Sequence, residues 1–505
     1  MAQDIQQQKK TLSARPPIVV ILGHIDHGKS SLLEAIKDFK IISKESGGIT
    51  QHIGAYQIEE QGKKITFIDT PGHQAFSQMR ARGAKVADIA ILVVDAAEGV
   101  KPQTKEAISY IKSADIPALV ALNKIDKPEA DPEKVKKELF EEDFSVESLG
   151  GKIPSLNISA KNKKGINELL EMILLTAEME ELKADFSQPA RGVVIESHLD
   201  NLRGYTATLL LTDGCLKVND VAATDSAYAK VKSIESFNKN IIKQAFASDP
   251  VVIFGFNRPP GVGDIFKSFP DVSSAENYIK EAGRPDKEKK GIASNAESED
   301  QPPVLNLIIK TDVVGLLEVI ESSLKTLPQE KVRLNILKAE AGNINESDIK
   351  LAISSRAIIL GFKIKIDPIA KKIIEREKVR IFTYEVIYDL VEKTKELMKQ
   401  VLEPDEIKKE FGRLKVLAKF LAEKNRQIIG GRVIEGEIKK GTSIDVLRDD
   451  EIIGRGRIIN LQRNKKDAKL VNKGEECGIL FEGNVPIERG DILSFYLIER
   501  IKGEL

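Results

Sequence analysis

One stretch, IVVILGHIDHGKSSLLEAI at residues 18–36, limits the fold of this chain more than any other. It predicts a buried strand, a glycine loop and a helix, because residues 18–22 are apolar and mostly β-branched. Residues 23–30 fit the pattern G-x-x-x-x-G-K-[ST], in which backbone N–H groups surround phosphate oxygens. Lys29 adds a positive charge, the hydroxyl of Ser30 can ligate Mg²⁺, and the helix points its positive end at the same phosphates.

Two alternatives to a phosphate site stay open for this stretch. The glycines could form a turn between strand and helix that binds nothing. His24 and His27 could ligate zinc, although no cysteine or acidic partner at ligand spacing accompanies them. The flanking strand and helix favour the phosphate site, whose candidate nucleotide-binding residues are Gly23, His24, Ile25, Asp26, His27, Gly28, Lys29, Ser30 and Ser31.

A second motif, ITFIDTPGH at residues 65–73, follows with its own predicted strand. Asp69 at the end of that strand can hold Mg²⁺ through a water molecule, and Gly72 can offer its backbone N–H to a γ-phosphate. Ligands bind at the carboxyl ends of the strands in open α/β sheets, so the two motifs are expected to meet at one edge.

Two further strand ends point to the base of the nucleotide. ALVALNKID ends at Asp126, whose carboxylate can accept both adjacent donors of guanine, and Asn123 can meet the other edge of the base. Adenine has no such donor pair and would leave the carboxylate unpaired. The Lys124 stem can cover the face of the base, and a backbone N–H at the end of LNISAK can meet guanine O6. Each motif alone is weak, but together they predict GTP or GDP with Mg²⁺, and the third loop contributes Ser159, Ala160 and Lys161.

GHIDHGKS with DTPGH resembles the translational GTPases, the class of elongation factor Tu. The resemblance implies that His73 is the catalytic residue that positions the attacking water, with Ile25 and Ile49 as its apolar gate. It also implies that Thr50 in GGIT ligates Mg²⁺ together with Ser30 and, through water, Asp69, and that Asp26 lies near the β/γ bridge.

ESGGITQHIGAYQI and the residues from 69 to 108 are similar to the bacterial translation initiation factor two family, and the resemblance covers almost the whole chain. It implies a factor that hydrolyses GTP, recruits formyl-methionyl initiator tRNA to the small ribosomal subunit and promotes joining of the large subunit. It further implies other initiation factors as partners and a monomeric state. The family's long N-terminal extension is missing, so we expect a short form.

The remaining pattern predicts a multidomain α/β plus β protein, since 505 residues are too many for one core. Short β runs with glycine turns predict a β-barrel, for which a sandwich is the alternative, and alternating strands and helices follow. The expected order is an N-terminal tail (1–16), a P-loop GTPase domain (17–183), a β-barrel (184–270), a linker (271–303), a small α/β/α domain (304–384), a long connecting helix (385–410) and a second β-barrel (411–505).

In the family, this last barrel binds the formyl-methionyl end of initiator tRNA. Arg463 and Cys477 match the family pocket, whereas Gly431 stands where relatives usually have a cysteine and Asn464 where they have an aromatic residue. We therefore expect Arg463, Cys477 and Gly431 to lie at a looser tRNA pocket, and selectivity for the formyl group stays open. The basic residues 455–469 suit a tRNA end, or equally a solvated strand and turn.

Composition excludes some classes. The formal net charge is zero, so any nucleic acid must be held by local basic clusters. Two distant cysteines, no apolar signal segment and no run of about 18 apolar residues predict a cytoplasmic protein without membrane contact.

Two rival functions are weighed against an initiation factor. An elongation-type or selenocysteine-type GTPase is disfavoured because elongation factor Tu places another barrel where this chain predicts an α/β domain. A nucleotide-dependent scaffold or RNA-binding protein that hardly hydrolyses GTP is disfavoured because Lys29, Thr50, Asp69 and His73 are all present.

Overall fold

The structure is a computed structural model, and it describes residues 12–36, 53–72, 74–200, 202–282, 302–402, 405–423, 425–448, 451–464 and 466–501. The chain divides into two compact units, Met1–Glu396 and Leu397–Leu505. Thr50, Ile49 and His73, to which the sequence assigns roles, lie outside the described residues.

The first domain is built on one sheet flanked by helices. Its elements are β1 (Ser13–Ala14), β2 (Ile18–Gly23), α1 (Lys29–Ile36), β3 (Gly54–Glu60), β4 (Lys63–Asp69), α2 (Ser77–Val86), β5 (Ile89–Asp95), α3 (Pro102–Ala114), β6 (Ala118–Asn123), α4 (Pro132–Glu141), β7 (Ser155–Asn157), α5 (Ile166–Met179) and β8 (Lys183–Ala184). Two 3-10 turns, Gln74–Phe76 and Glu147–Leu149, complete it.

The sheet has the strand order β3-β4-β2-β5-β6-β7, and β3 alone runs antiparallel to its neighbour. Every residue of β2, β5 and β6 is buried, as expected for central parallel strands with continuous apolar sequences. The shared direction brings the polar carboxyl ends of β2, β4, β5 and β6 to one edge of the sheet.

The second domain is an antiparallel β structure. Its elements are β9 (Arg191–Asp200), β10 (Gly204–Asp213), β11 (Cys215–Lys217), β12 (Val221–Ala223), β13 (Tyr228–Lys230), β14 (Ile234–Ser236), β15 (Ile241–Ile242), β16 (Gln244–Phe246), β17 (Pro250–Phe256), β18 (Ile265–Phe269) and α6 (Val272–Ala282). Eight strands follow the order β13-β12-β18-β9-β10-β17-β14-β15. Tyr228 and Asn257 exchange two hydrogen bonds of 2.9 Å. These bonds link β13, at one edge of the sheet, to the residue that follows β17.

Helix α6 corrects the expectation of a linker from residue 271. Val272, Ala275 and Tyr278 recur at helical spacing and pack with Val221 and Ala223 of β12. The polar composition of the following residues concealed this short apolar stripe.

Polar contacts attach this second domain to the first sheet. The Thr66 hydroxyl donates to the Ser248 carbonyl at 2.6 Å, and the Gln57 amide donates to the Asp249 carboxylate at 3.0 Å. Next to the contact at Ser248, Arg15 forms a bidentate ion pair with the Asp88 carboxylate, with N–O distances of 2.6 and 2.7 Å.

The third domain alternates strands and helices as the sequence predicts. Its elements are β19 (Val304–Thr311), α7 (Val314–Lys325), β20 (Arg333–Ala341), α8 (Glu346–Ser355), β21 (Ile358–Phe362), α9 (Pro368–Glu377), β22 (Ile381–Tyr384) and α10 (Ile387–Val401). The four strands form a parallel sheet in the order β20-β19-β21-β22. Asn345 and Asp348 cap the amino-terminal end of α8 reciprocally, each side chain accepting a backbone N–H of the other residue.

The second unit contains a closed barrel. Its strands are β23 (Asp405–Glu423), β24 (Arg426–Lys439), β25 (Ser443–Arg448), β26 (Glu451–Arg463), β27 (Lys466–Asp467), β28 (Leu470–Asn472), β29 (Glu476–Gly483) and β30 (Ile492–Ile501). The ring β23-β30-β25-β26-β29-β24 closes because β24 also pairs with β23. The predicted connecting helix, 385–410, is therefore too long: α10 ends at Val401 and residues from Asp405 onward form a strand. Pro404 lies between them, and a proline disfavours helical backbone at the residue before it.

The predicted multidomain α/β plus β fold class is confirmed. No helix in the described ranges is long and apolar enough to cross a membrane.

Candidate nucleotide site

The glycine loop between β2 and α1 folds around the ammonium group of Lys29. Lys29 Nζ donates to the carbonyls of Gly23 at 3.0 Å and His24 at 2.6 Å, and the side chain is buried. A Cβ at Gly23 would lie 2.3 Å from the Val93 carbonyl oxygen, and one at Gly28 would lie 2.3 Å from the Asn123 amide nitrogen. The loop can approach its neighbours this closely only because both positions lack a side chain.

Burial lowers the pKa of Lys29 to about 8, although the negative charges of Asp69 and Asp26 raise it; the charge of Arg80 lowers it further. Gly72 lies against the same ammonium, since a Cβ there would be 2.3 Å from Lys29 Nζ. The structure thus brings the glycine loop and the end of the DTPG segment (residues 69–72) together. An anion at this position would restore the full charge of Lys29.

Two oxygen ligands suited to Mg²⁺ occur at the same place. Asp69 is 1% exposed at the carboxyl end of β4, and Ser30 lies in the first turn of α1. Carboxylate and hydroxyl oxygens are the hard donors that Mg²⁺ prefers. These described residues therefore fit the cation.

A cavity of about 530 Å³ extends from the glycine loop to the ends of β6 and β7. Asp126 stands at its wall, and the buried Ser159 hydroxyl donates to the Asp126 carboxylate at 2.6 Å. This hydrogen bond lowers the pKa of Asp126 and fixes the orientation of the carboxylate. The cavity is lined by Gly28, Ser31, Glu34, Ala35, Asn123, Lys124, Asp126, Lys127, Ala160, Lys161 and Lys163.

Asn123 lines the cavity and also links two loops through hydrogen bonds of its side-chain amide. Its amide nitrogen donates to the His27 carbonyl at 2.9 Å, and its oxygen accepts the Ala160 N–H at 3.0 Å. Each of these atoms keeps a second donor hydrogen or lone pair, so the expectation that Asn123 meets the edge of the base stays a prediction. The Ala160 N–H is committed to Asn123.

Asp95 at the end of β5 is a site residue that the sequence reasoning missed. It is fully buried and forms ion pairs with Lys124 at 2.9 Å and Lys127 at 3.0 Å. Burial raises its pKa, but the hydrogen bonds from Lys124, the Ala97 backbone and Lys127 outweigh this and lower it to about 2. Asp95 thereby holds the Lys124 stem beside the cavity. Its position at a strand end, like Asp69, was the available signal.

The histidines of the glycine loop form a small buried group. The ring of His27 is fully buried and contacts His24 edge to face, with ring centres 5.0 Å apart. Burial lowers the pKa of His27 to about 3, and neither ring nitrogen has a hydrogen-bond partner among the described residues. His27 is therefore neutral. Ile25 is held through its N–H by Gln103 at 3.0 Å, and the Asp26 carbonyl accepts from Lys124.

In the C-terminal barrel, Gly431 and Cys477 face each other across β24 and β29. Burial raises the pKa of Cys477 to about 12, and Arg463 pairs with Glu475 at 2.6 Å. A Cβ at Gly431 would lie 2.2 Å from Leu414 Cδ2. Leu414 therefore fills the space beside Gly431, and the looser tRNA pocket stays a prediction.

Four family models match successive parts of the chain. They are the Elongation factor Tu GTP binding domain at residues 15–179, Elongation factor G domain 2 at 189–269, Translation-initiation factor 2 at 280–395 and Elongation factor Tu domain 4 at 411–494.

Curated relatives match along the whole chain. Translation initiation factor IF-2 of Pelotomaculum thermopropionicum is 44% identical over 100% of this chain and 53% of its own length. That of Carboxydothermus hydrogenoformans is 43% identical over 100% of this chain and 62% of its own length, so the chain spans little more than half of these relatives. That of Halothermothrix orenii is 44% identical over 99% of this chain and 74% of its own length. The chain therefore belongs to the translation initiation factor IF-2 family.

Proposed function

We propose that this protein binds GTP and GDP and hydrolyses GTP during the initiation of translation. The observation that carries the proposal is the cavity between the glycine loop and Asp126, whose carboxylate is oriented by Ser159. A carboxylate in this position accepts the two adjacent donors of guanine, whereas adenine leaves it unpaired. Membership of the family supports the same nucleotide.

The residues around Lys29 hold the phosphates. Lys29 and the loop N–H groups bind their oxygens, and Gly72 offers its N–H to the γ-phosphate. Ser30, Thr50 and, through water, Asp69 would hold Mg²⁺, which would neutralise negative charge on the phosphates. His73 orients the water that attacks the γ-phosphate. Turnover by the protein alone is slow, because His73 must be brought into position by a partner.

The partners follow from the family. The protein recruits formyl-methionyl initiator tRNA to the small ribosomal subunit, promotes joining of the large subunit, and acts as a monomer alongside other initiation factors. In the C-terminal barrel, Arg463, Cys477 and Gly431 contact the formyl-methionyl end.

Two measurements test this proposal. In competition titrations, GTP and GDP displace a labelled guanine nucleotide and ATP does not; displacement by ATP at equal concentration overturns the nucleotide assignment. Separately, the protein protects formyl-methionyl initiator tRNA, but not the unformylated form, from spontaneous deacylation. Equal or absent protection removes initiator selection from this barrel and leaves the GTP assignment standing.

A further inference from the structure

Arg80 in α2 is fully buried, although it is not one of the residues proposed to contact the nucleotide. Arginine is almost never fully buried without partners, because its charge is costly to remove from water. A buried arginine beside a ligand site therefore needs a reason.

The guanidinium of Arg80 joins two elements behind the site. Nη1 donates to the Pro71 carbonyl at 3.0 Å, and Nη2 donates to the Glu106 carboxylate of α3 at 2.8 Å. Glu106 also accepts the Tyr110 hydroxyl at 2.5 Å on its other oxygen. Arg80 is thus anchored by α3 and holds the backbone of the DTPG segment.

The bonded carbonyl belongs to the same peptide unit as the N–H of Gly72. The described residues contain no cis peptide bond, and in a trans peptide the C=O and N–H point in opposite directions. Because Arg80 fixes the Pro71 carbonyl, the Gly72 N–H points away from Arg80. Gly72 itself lies against the Lys29 ammonium, where the phosphates are proposed to bind.

We propose that Arg80 is a positioning residue that aims the Gly72 N–H at the γ-phosphate. The inference rests on the proposed GTP binding and deepens it. GDP has no γ-phosphate, so Arg80 contributes to the affinity for GTP and hardly to that for GDP. Glu106 contributes indirectly, because it holds the guanidinium in place.

The same helix provides a matched control. Arg82, two residues further on, pairs with Glu318 of α7 at 2.6 Å, and both side chains are partly exposed. It is not bonded to the DTPG backbone through any contact found in the described residues. Arg82→Met removes the same charge from α2 but leaves the hydrogen bonds of Arg80 to Pro71 and Glu106 in place.

The experiment measures affinities of the full chain for fluorescent GDP and for the slowly hydrolysed analogue GTPγS. We expect Arg80→Met to weaken GTPγS binding about tenfold relative to GDP, as for loss of one hydrogen bond to a charged group. Arg80→Lys should keep part of the ratio, and Arg82→Met should leave the ratio of the natural protein unchanged.

Each outcome decides the inference. A folded Arg80→Met protein with an unchanged ratio, or an equal loss for both nucleotides, overturns it. If Arg80→Met does not fold, Glu106→Gln decides: a selective loss of about threefold for GTPγS supports the inference, and no selective loss overturns it. Failure of the natural protein to bind either nucleotide instead rejects the proposed function.

Discussion

At the scale of single residues, we propose that Lys29 and Asp126 bind different parts of the nucleotide. Burial lowers the pKa of Lys29 in the glycine loop to about 8, and a bound anion would return the side chain to its charged form. Asp126 lies beyond the loop and is held by the buried Ser159 hydroxyl. In this proposal, Lys29 binds the phosphates and Asp126 binds the base.

Asp126→Asn should invert the base preference. The asparagine amide can donate to the 2-oxo group of xanthine but cannot accept both donors of guanine, so GTP affinity should fall at least about 100-fold while XTP affinity rises. Competition titrations with both nucleotides measure this.

The matched control is Asp131→Asn, which removes a carboxylate that caps α4 by accepting the Lys134 N–H at 3.0 Å. It should leave the base preference unchanged. Retained GTP preference in Asp126→Asn would mean that another group reads the base.

Lys29 should make nucleotide binding take up protons. With a pKa of about 8 in the free protein, half of its population is uncharged at pH 8, and bound phosphates return it to the charged form. The complex therefore gains about half a proton per nucleotide at pH 8 and much less at pH 7. Calorimetric titrations in buffers of different ionisation enthalpy measure the uptake. The same uptake at both pH values would show that Lys29 is already fully charged in the free protein.

The sequence predicts the residues whose chemistry follows from a motif, and it misses those whose task depends on tertiary neighbours. Lys29 and Gly72 are predicted, and the structure places them in contact. The linking bonds of Asn123 and the buried ion pairs of Asp95 could not be predicted, because their partners are distant in sequence. The role of Arg80 could not be predicted for the same reason. In the sequence it is one charged residue in a helix of polar, charged and apolar residues.

At the scale of elements, strands β23 and β24 show how a missing side chain is compensated. Leu414 on β23 is fully buried and occupies the space above Gly431 on β24. The sequence shows the glycine but not the neighbour that fills its place. The packing of β23 against β24 therefore determines that glycine at position 431, where relatives usually have a cysteine, leaves no empty space.

Gly431→Cys should destabilise the C-terminal barrel by about 1–3 kcal/mol, since the new Cβ would lie 2.2 Å from Leu414 Cδ2 and 2.7 Å from the Lys415 carbonyl oxygen. Combined with Leu414→Ala, which itself removes a buried side chain, the total loss should be smaller than the sum of the two single losses, because the truncation relieves the side-chain clash. Hydrogen exchange on barrel peptides of the full chain measures both. A single variant as stable as the natural protein would show that Leu414 moves aside freely.

At the scale of the whole molecule, the chain divides into two compact units. The described residues of the first unit form separate cores in its three domains, and those of the second form the core of the barrel. The first carries the nucleotide cavity, and the second carries the barrel residues assigned to initiator tRNA. The order of domain types follows from the sequence pattern. The sequence pattern does not show which strands pair to close a barrel, as β23 and β24 do, because these contacts join strands of the folded domain.

We propose that this molecule hydrolyses GTP during the initiation of translation and that the ribosome stimulates this hydrolysis. The most direct test is GTP turnover with and without ribosomes, for the natural protein and for His73→Ala. We predict slow turnover by the protein alone, strong stimulation by ribosomes, and loss of that stimulation in His73→Ala while GTP binding is retained. Unimpaired stimulated turnover in His73→Ala, or no stimulation of the natural protein, would contradict the account.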